Sequence, residues 1–328
     1  MSKEVFITTV TSYFPNSPID NNSMEDYLGL ISGVHSRVKN IVLRQNGIKQ
    51  RFYAVNTKQE MTHTNAELAH LSIQKLLKEA LLPLQELELL ACATASPDQV
   101  LPSHASMVHG LLKNAPMEIF SASGICLSCV QAFKIAYLSI LAGDKRNAVC
   151  SCSELASAGL LSKNFDVEYE KCANLGIQPY MALEKDFLRF MLSDGASAVL
   201  LQDNPGKGKA LHVEWVEMTS YANELPTCMF MGAEKEKNGE LKSWKSFSSQ
   251  ELTDRSLFTV KQDIKLLEKN AVPYWAKHIK YCLEKHDVAP ESISYVLPHV
   301  SSMFFYDKII NELKGIGIGI DESKWFTN

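Results

Sequence analysis

Residues 119–133 read Ile119-Phe120-Ser121-Ala122-Ser123-Gly124-Ile125-Cys126-Leu127-Ser128-Cys129-Val130-Gln131-Ala132-Phe133. A strand-like run from Met117 to Ser121 ends in small residues and a glycine. A helical pattern then starts at the cysteine and continues through Ala136, Tyr137, Ile140 and Leu141. A thiol at such a junction lies near unpaired backbone N–H groups and the positive end of a helix dipole, and both favour thiolate. A thiolate on a sharp strand-to-helix turn is what covalent acyl transfer needs. Cys126 is therefore the candidate nucleophile.

Outward from this stretch, strands are predicted at Val5–Val10, Leu89–Ala93, Glu118–Ser121, Ala148–Ser153, Phe190–Gln202 and Leu211–Tyr221. Between them, Asn65 is predicted to cap a helix with an apolar stripe at Leu68, Leu71, Leu76 and Ala80, and Pro102–Leu112 forms a second helix. The alternation predicts βαβ units, a mostly parallel sheet and an α/β fold. The second half repeats a pattern of the first: helix, proline turn (Pro83, Pro290), then a short strand entered through Leu87 or Ile293. Those strands deliver Thr94 and His299. A division at 205/206 into two halves follows. Residues 164–187 are predicted to be an irregular insertion, and 232–251 an exposed polar loop.

The 328 residues are 46% hydrophobic and 21% charged, as in ordinary globular chains. A net charge of −4 gives no basic surface for nucleic acid. No apolar run reaches the roughly 20 residues of a membrane span. The N-terminus lacks a signal-peptide pattern. Eight cysteines, several of them in apolar strand or helix patterns, predict reduced thiols and a cytoplasmic location.

His299 follows the apolar run Ser294-Tyr295-Val296-Leu297-Pro298, which places it at the carboxyl edge of a sheet, where open α/β folds bind ligands. An isolated histidine there is more often a satisfied core residue; the Pro-His pair and the cysteine favour a site. Cys126 and Cys129 form a Cys-x-x-Cys pair, but no second pair with zinc spacing follows, and Cys129 reads as packing. Cys150 and Cys152 alternate on one strand and share a core face.

Six segments then resemble ketoacyl-acyl-carrier-protein synthase III of the thiolase superfamily. They are Gly47-Ile-Lys-Gln-Arg51, Ala93–Ser103, Ser123-Gly-Ile-Cys-Leu-Ser128, Ser151-Cys-Ser-Glu154, Ser193-Asp-Gly-Ala-Ser-Ala-Val-Leu200 and Leu297-Pro-His-Val300, in family order. The resemblance implies a five-layer αβαβα thiolase-like fold from two pseudo-repeated halves, and a homodimer. It implies transfer of an acyl group from coenzyme A or a carrier protein to Cys126. A malonyl or β-ketoacyl thioester then condenses with that acyl group in a Claisen reaction. His299 would donate N–H to the carbonyl of the attacking thioester, and the Cys126 N–H would serve an oxyanion hole. Arg44, Arg51, Leu101 and Ser153 would contact substrate. No cofactor or metal is implied beyond phosphopantetheine or coenzyme A thioesters.

The chain departs from the pattern in three places. The family's Gly-Asn-x-x-Ala-Ala-Ser motif is absent; Lys324–Asn328 reads as the segment leading to it, so the sequence is expected to be C-terminally incomplete, with Asn328 an unfavoured stand-in. Val300-Ser-Ser302 and Met303-Phe-Phe305 replace the expected residues after the histidine, leaving donor specificity open. Leu101 stands for an aromatic residue. Asn22–Gly29 and Arg44–Lys49 resemble ketosynthases of dialkylresorcinol and cyclohexanedione pathways. The alternatives are a non-catalytic ketosynthase partner subunit, or chemistry like that of thiolase or HMG-CoA synthase.

Overall fold

The computed structural model describes residues 3–174, 187–300 and 302–327. Two compact units are present. Unit 1 comprises Met1–Gly33, Gln50–Asn164 and Leu192–Met218, and unit 2 comprises Val34–Lys49, Phe165–Met191 and Thr219–Asn328.

Unit 1 is organised by a six-stranded sheet: β1 (Phe6–Tyr13), β2 (Leu89–Thr94), β3 (Glu118–Ser123), β4 (Asn147–Glu154), β5 (Gly195–Gln202) and β6 (Leu211–His212), in the order β3-β2-β4-β5-β1-β6. β2 pairs in parallel with β3 and β4, and every other pair is antiparallel. The sheet is thus mixed rather than mostly parallel. The excursion after β4 returns to the end it left, with Glu154 opposite Gly195, so β5 must run backwards.

β2 reads Leu-Leu-Ala-Cys-Ala-Thr and is buried at every position, as a central strand covered on both faces must be. Helices α1 (Asn65–Ala80) and α2 (His104–Leu112) cover one face, with Ile73, Leu76 and Val108 against Leu90, Cys92 and Leu200. Helix α3 (Ser128–Leu141) covers the other, with Ala132, Ala136 and Ile140 on Ala91, Ala93 and Ala148. Alanine against alanine lets α3 lie close on the sheet. Thr64, not Asn65, caps α1 in a capping box with Glu67. Asn65 is instead fully buried.

Several predicted elements contract. The strand expected from Phe190 begins at Gly195, and 187–191 are helical. The strand expected over Leu211–Tyr221 is confined to Leu211–His212. Of the insertion 164–187, Asp166–Asn174 is a helix and 175–186 lie outside the described residues.

Unit 2 packs α4 (Ile264–Lys285) against α5 (Tyr306–Gly315) through Val272, Ala276, Ile309, Ile310 and Leu313. The strand expected from Ile293 is reduced to one parallel bridge, Val296 with Trp325. The repeated pattern is visible within each unit. α1 is followed by a 3-10 turn after Pro83, and α4 by one that begins at Pro290.

Residues 232–251 are not an open loop. Ala233–Lys235 pairs with Leu241–Ser243, and Lys235 Nζ reaches Asp263 Oδ2 at 2.7 Å while Lys261 Nζ reaches Glu234 Oε2 at 2.6 Å. Asp263 also caps α4 through the Leu266 N–H. Asp263→Ala is expected to cost about 1 kcal/mol, mostly through the cap, since the ion pair is partly exposed. Lys235 and the Leu266 N–H hold the Asp263 carboxyl below the usual range. Its contribution is therefore present above the unfolded-state value of about 4 and is lost as pH falls through the lower folded value. Urea unfolding at neutral and at acid pH should show the gap between wild type and variant closing in acid.

Candidate active site

The turn 124–127 links β3 to α3 in unit 1, and Cys126 is exposed on it. Ser128 N–H bonds the Ile125 carbonyl at 2.9 Å, which closes the turn around Cys126. Helix α3 begins at Ser128, two residues later than the sequence pattern places it. The dipole acts within the first turn of a helix, so this shift weakens its hold on the sulfur. Partial burial pushes the Cys126 thiol up, with the charge of Glu154 and the neighbouring Cys129 adding to the rise, and a bond from its own backbone N–H opposes it. Burial thus opposes the thiolate that a helix start was expected to favour at Cys126.

Three cysteines lie behind it. Cys129, Cys150 and Cys152 pack into the core on the α3 face. Cys129 and Cys152 hydrogen-bond to each other, and both thiols are pushed far up. None of the seven cysteines with described side chains forms a disulfide.

Strand ends β2 and β4 supply polar groups at the same end of the sheet. The Glu154 carboxylate accepts from Ala95 N–H at 2.7 Å, Ser96 Oγ at 2.6 Å and Thr94 Oγ1 at 3.4 Å. Burial pushes its carboxyl up, and these donors partly pull it back. On the α1–α2 face, Thr94 accepts from Asn65 Nδ2 at 2.8 Å, and His104 Nε2 stands 3.0 Å from Ser153 Oγ. Asp98 accepts from the Asn65 and Ala66 N–H groups at the start of α1. Burial pushes the His104 imidazole down, so it is neutral at pH 7, and its Nδ1 has no partner among the described residues. Sequence reasoning missed Asn65, Asp98 and His104. A histidine after Pro102-Ser103 at a helix start carried no periodic signal.

The substrate-contact candidates fall as follows. Ser153 is buried, its hydroxyl engaged by His104. Leu101 is exposed in the loop before α2. Arg51 is half-buried; its Nη1 donates to Gln50 O at 3.2 Å, and its Nε has no partner among the described residues. Burial lowers its guanidinium, opposed by Tyr53. Arg44 is exposed at the end of the helix Lys39–Gln45 in unit 2. His299, also in unit 2, is exposed just beyond the Val296 bridge. Asn328 lies outside the described residues. A groove of about 530 Å³ runs between β3 and α3, lined by Phe120, Ser123, Gln131, Lys134, Leu138 and others. Among the described residues, no cluster of His, Cys, Asp and Glu could hold a metal ion, and no helix is long and apolar enough to cross a membrane.

No protein-family model matches the chain. Curated relatives include β-ketoacyl-[acyl-carrier-protein] synthase III of Clostridium perfringens (strain SM101 / Type A), 22% identical over 316 residues, 96% of this chain and 82% of that protein. The enzyme of the same name from Aliarcobacter butzleri (strain RM4018) is 24% identical over 259 residues, 79% and 67% of the two chains. Among solved structures, the tetronic acid condensing enzyme AbyA1 superposes with a TM-score of 0.68 at 21% identity, covering 97% of this chain and 87% of the other. The 3-oxoacyl-(acyl carrier protein) synthase III of Pseudomonas aeruginosa PAO1 gives 0.64 at 16%, covering 99% and 83%. The chain shares the fold of these solved synthase and condensing-enzyme structures. Within that class, the curated relatives are β-ketoacyl-acyl-carrier-protein synthases III.

Proposed function

We propose that the protein is an acyltransferase of the condensing type. Cys126 accepts an acyl group from coenzyme A or an acyl carrier protein, and the bound acyl group is then attacked by a malonyl or β-ketoacyl thioester. The observation that carries this reading is the exposed thiol on a turn joining a parallel strand to the helix packed on its sheet. The curated relatives and structural neighbours, condensing enzymes by name, support it. The chain is divided functionally at 205/206, with the nucleophile before and the histidine after. Arg44, Arg51, Leu101 and Ser153 serve substrate placement, and no cofactor beyond the thioester substrates is needed. The protein works in the cytoplasm as a homodimer; support for the dimer is β3, the outermost strand of its sheet among the described residues, whose edge can pair with the same strand of a second copy.

The reading is tested by incubating the protein with a panel of acyl-CoA donors and recording intact mass. A mass increase equal to the acyl group is expected. No adduct with any donor, acyl carrier protein included, would sink the proposal. His299 is assigned the N–H donor to the attacking thioester. His299→Ala should leave acylation of Cys126 intact and lower condensation product by about 10²- to 10³-fold, the usual loss when a donor to developing negative charge is removed. Single-turnover assays that score adduct and product separately check this.

A further inference from the structure

Residues 95–103 form the loop that joins β2 to α2, with Val100 and Leu101 exposed at its tip. The first half of the loop is fastened twice. Ala95 N–H and Ser96 Oγ donate to Glu154 at 2.7 and 2.6 Å, and Asp98 accepts from the Asn65 and Ala66 N–H groups at 2.7 and 2.9 Å. The second half ends at His104, the first residue of α2, which is only 5% exposed. His104 Nε2 stands 3.0 Å from Ser153 Oγ on β4. Ser153 Oγ also lies 3.4 Å from Asn65 O, which can only accept. The hydroxyl proton therefore points to Asn65, and His104 Nε2–H donates to Ser153. Nδ1 is then the bare nitrogen, buried and without a partner among the described residues.

This arrangement suits a neutral imidazole and rejects a charged one. A second ring proton would sit on Nδ1, where no acceptor stands among the described residues, and a buried charge without a partner is costly. His104 also opens α2, and the positive end of a helix dipole repels a cation. The charged and titratable groups on the surrounding elements do not offset this. Both Asp98 oxygens are engaged by the start of α1, and the Glu154 carboxylate by Ala95, Ser96 and Thr94. Burial pushes the Cys92 thiol on β2 far up, so it stays uncharged, and pushes the His70 imidazole on α1 down. Glu67 on α1 is turned to the Thr64 N–H, and His109 on α2 lies beside Ala115 O. β3 contributes the uncharged Ser121, which accepts from Ala105 N–H. Burial accordingly lowers His104 itself, with the charge of Asp98 opposing. We infer that His104 is an acid-sensitive positioning residue: uncharged, it pins the end of the 95–103 loop to β4 through Ser153, and on taking a second ring proton from solvent it leaves that buried place and frees the loop and the start of α2. A freed loop no longer holds Leu101 in position. That consequence for substrate placement rests on the acyl-transfer reading; the release of the loop does not.

The test compares urea unfolding of wild type and His104→Gln between neutral and mildly acid pH. Glutamine keeps a side-chain N–H for Ser153 and takes up no proton in this range. An imidazole held below its unfolded-state value of about 6.5 stabilises the fold above that value, and the contribution is lost as pH falls below it. The unfolding constant of wild type relative to His104→Gln should therefore rise up to about tenfold from neutral pH to about pH 5.5. Acidic groups common to both proteins cancel in this ratio. Hydrogen exchange of peptides spanning 95–112 should quicken in acid in wild type relative to the variant at the same pH, while α3 peptides exchange equally in both. A ratio that stays flat across the range would overturn the inference. So would acid-quickened exchange spread evenly over unit 1. If His104→Gln does not fold, the NMR signal of the His104 imidazole in wild type decides alone. Titration at or above about 6.5 counts against the inference, and titration below it supports the inference. No acyl donor enters these measurements, so a wild type that never acylates would strike the proposed function and leave this result standing.

Discussion

Cys126→Ala is expected to remove the acyl adduct completely, with no residual acylation above the uncatalysed level. The variant should otherwise fold as wild type, because Cys126 is exposed and belongs to none of the described core clusters of unit 1. Nothing nearby can take over. Cys129, Cys150 and Cys152 are packed beneath α3; the bond to Cys152 and burial push the Cys129 thiol far up, and the bond to Cys150 and burial push Cys152 up despite its bond with Cys129. Nucleophilic attack on a thioester requires thiolate character, which those two lack. Peptide mapping of the acylated wild type should therefore place the whole adduct on Cys126. Cys129→Ala should keep acylation within a few-fold of wild type. An adduct that persists in Cys126→Ala, or maps to Cys129, would show that the nucleophile has been misassigned.

Asp194→Ala is expected to have the largest effect on stability, about 3–5 kcal/mol, or a fall in melting temperature of roughly 10 °C. Asp194 is buried just before β5. Its carboxylate accepts from Ala54 N–H at 2.6 Å, from Ser157 N–H at 2.8 Å and from Ser157 Oγ. Its own N–H bonds Phe52 O at 2.8 Å. One side chain thus ties together three loops far apart in sequence. Alanine leaves two backbone N–H groups and a hydroxyl buried without an acceptor, and each costs about 1–3 kcal/mol. Burial pushes the Asp194 carboxyl up while the Ala54 and Ser157 donors pull it down. Asp194→Asn keeps one acceptor oxygen and should lose about half as much. Urea unfolding monitored by far-UV circular dichroism gives both numbers. Variants within 1 kcal/mol of wild type would show that the loops hold without it.

Local pattern and tertiary context divide what was legible in the chain. The central strand Leu89–Thr94 and helix α1 were visible because six buried apolar or small residues and a 3.6-residue stripe are local signals. The shortened strand at Leu211 and the bridge at Val296 were not. Their apolar residues satisfy the strand pattern, but whether a neighbouring strand lies alongside is a tertiary matter. Cys126 was legible because glycine and small residues mark a turn between two periods. The upward push on its thiol was not, since that comes first from burial, which only the packed turn sets. The buried group of Asn65, Thr94, His104 and Ser153 was seen only in fragments, because it is assembled from α1, β2, α2 and β4.

The position of β1 sets the timetable of folding. Phe6–Tyr13 lies between β5 and β6, pairing with Ala196–Gln202 on one side and Leu211–His212 on the other. β1 leaves the ribosome before its partners and must wait for strands made nearly two hundred residues later. At about 5–20 residues per second, that is on the order of ten seconds or more with a β-edge-forming segment unpaired. The loop that closes when β1 docks is long, so its entropy is met late and the contact order of unit 1 is high. Helices α1–α3 and the parallel trio β2–β4 can assemble from local crossovers first. The Cys126 turn, built wholly within that trio, therefore takes shape before the sheet that carries it is complete.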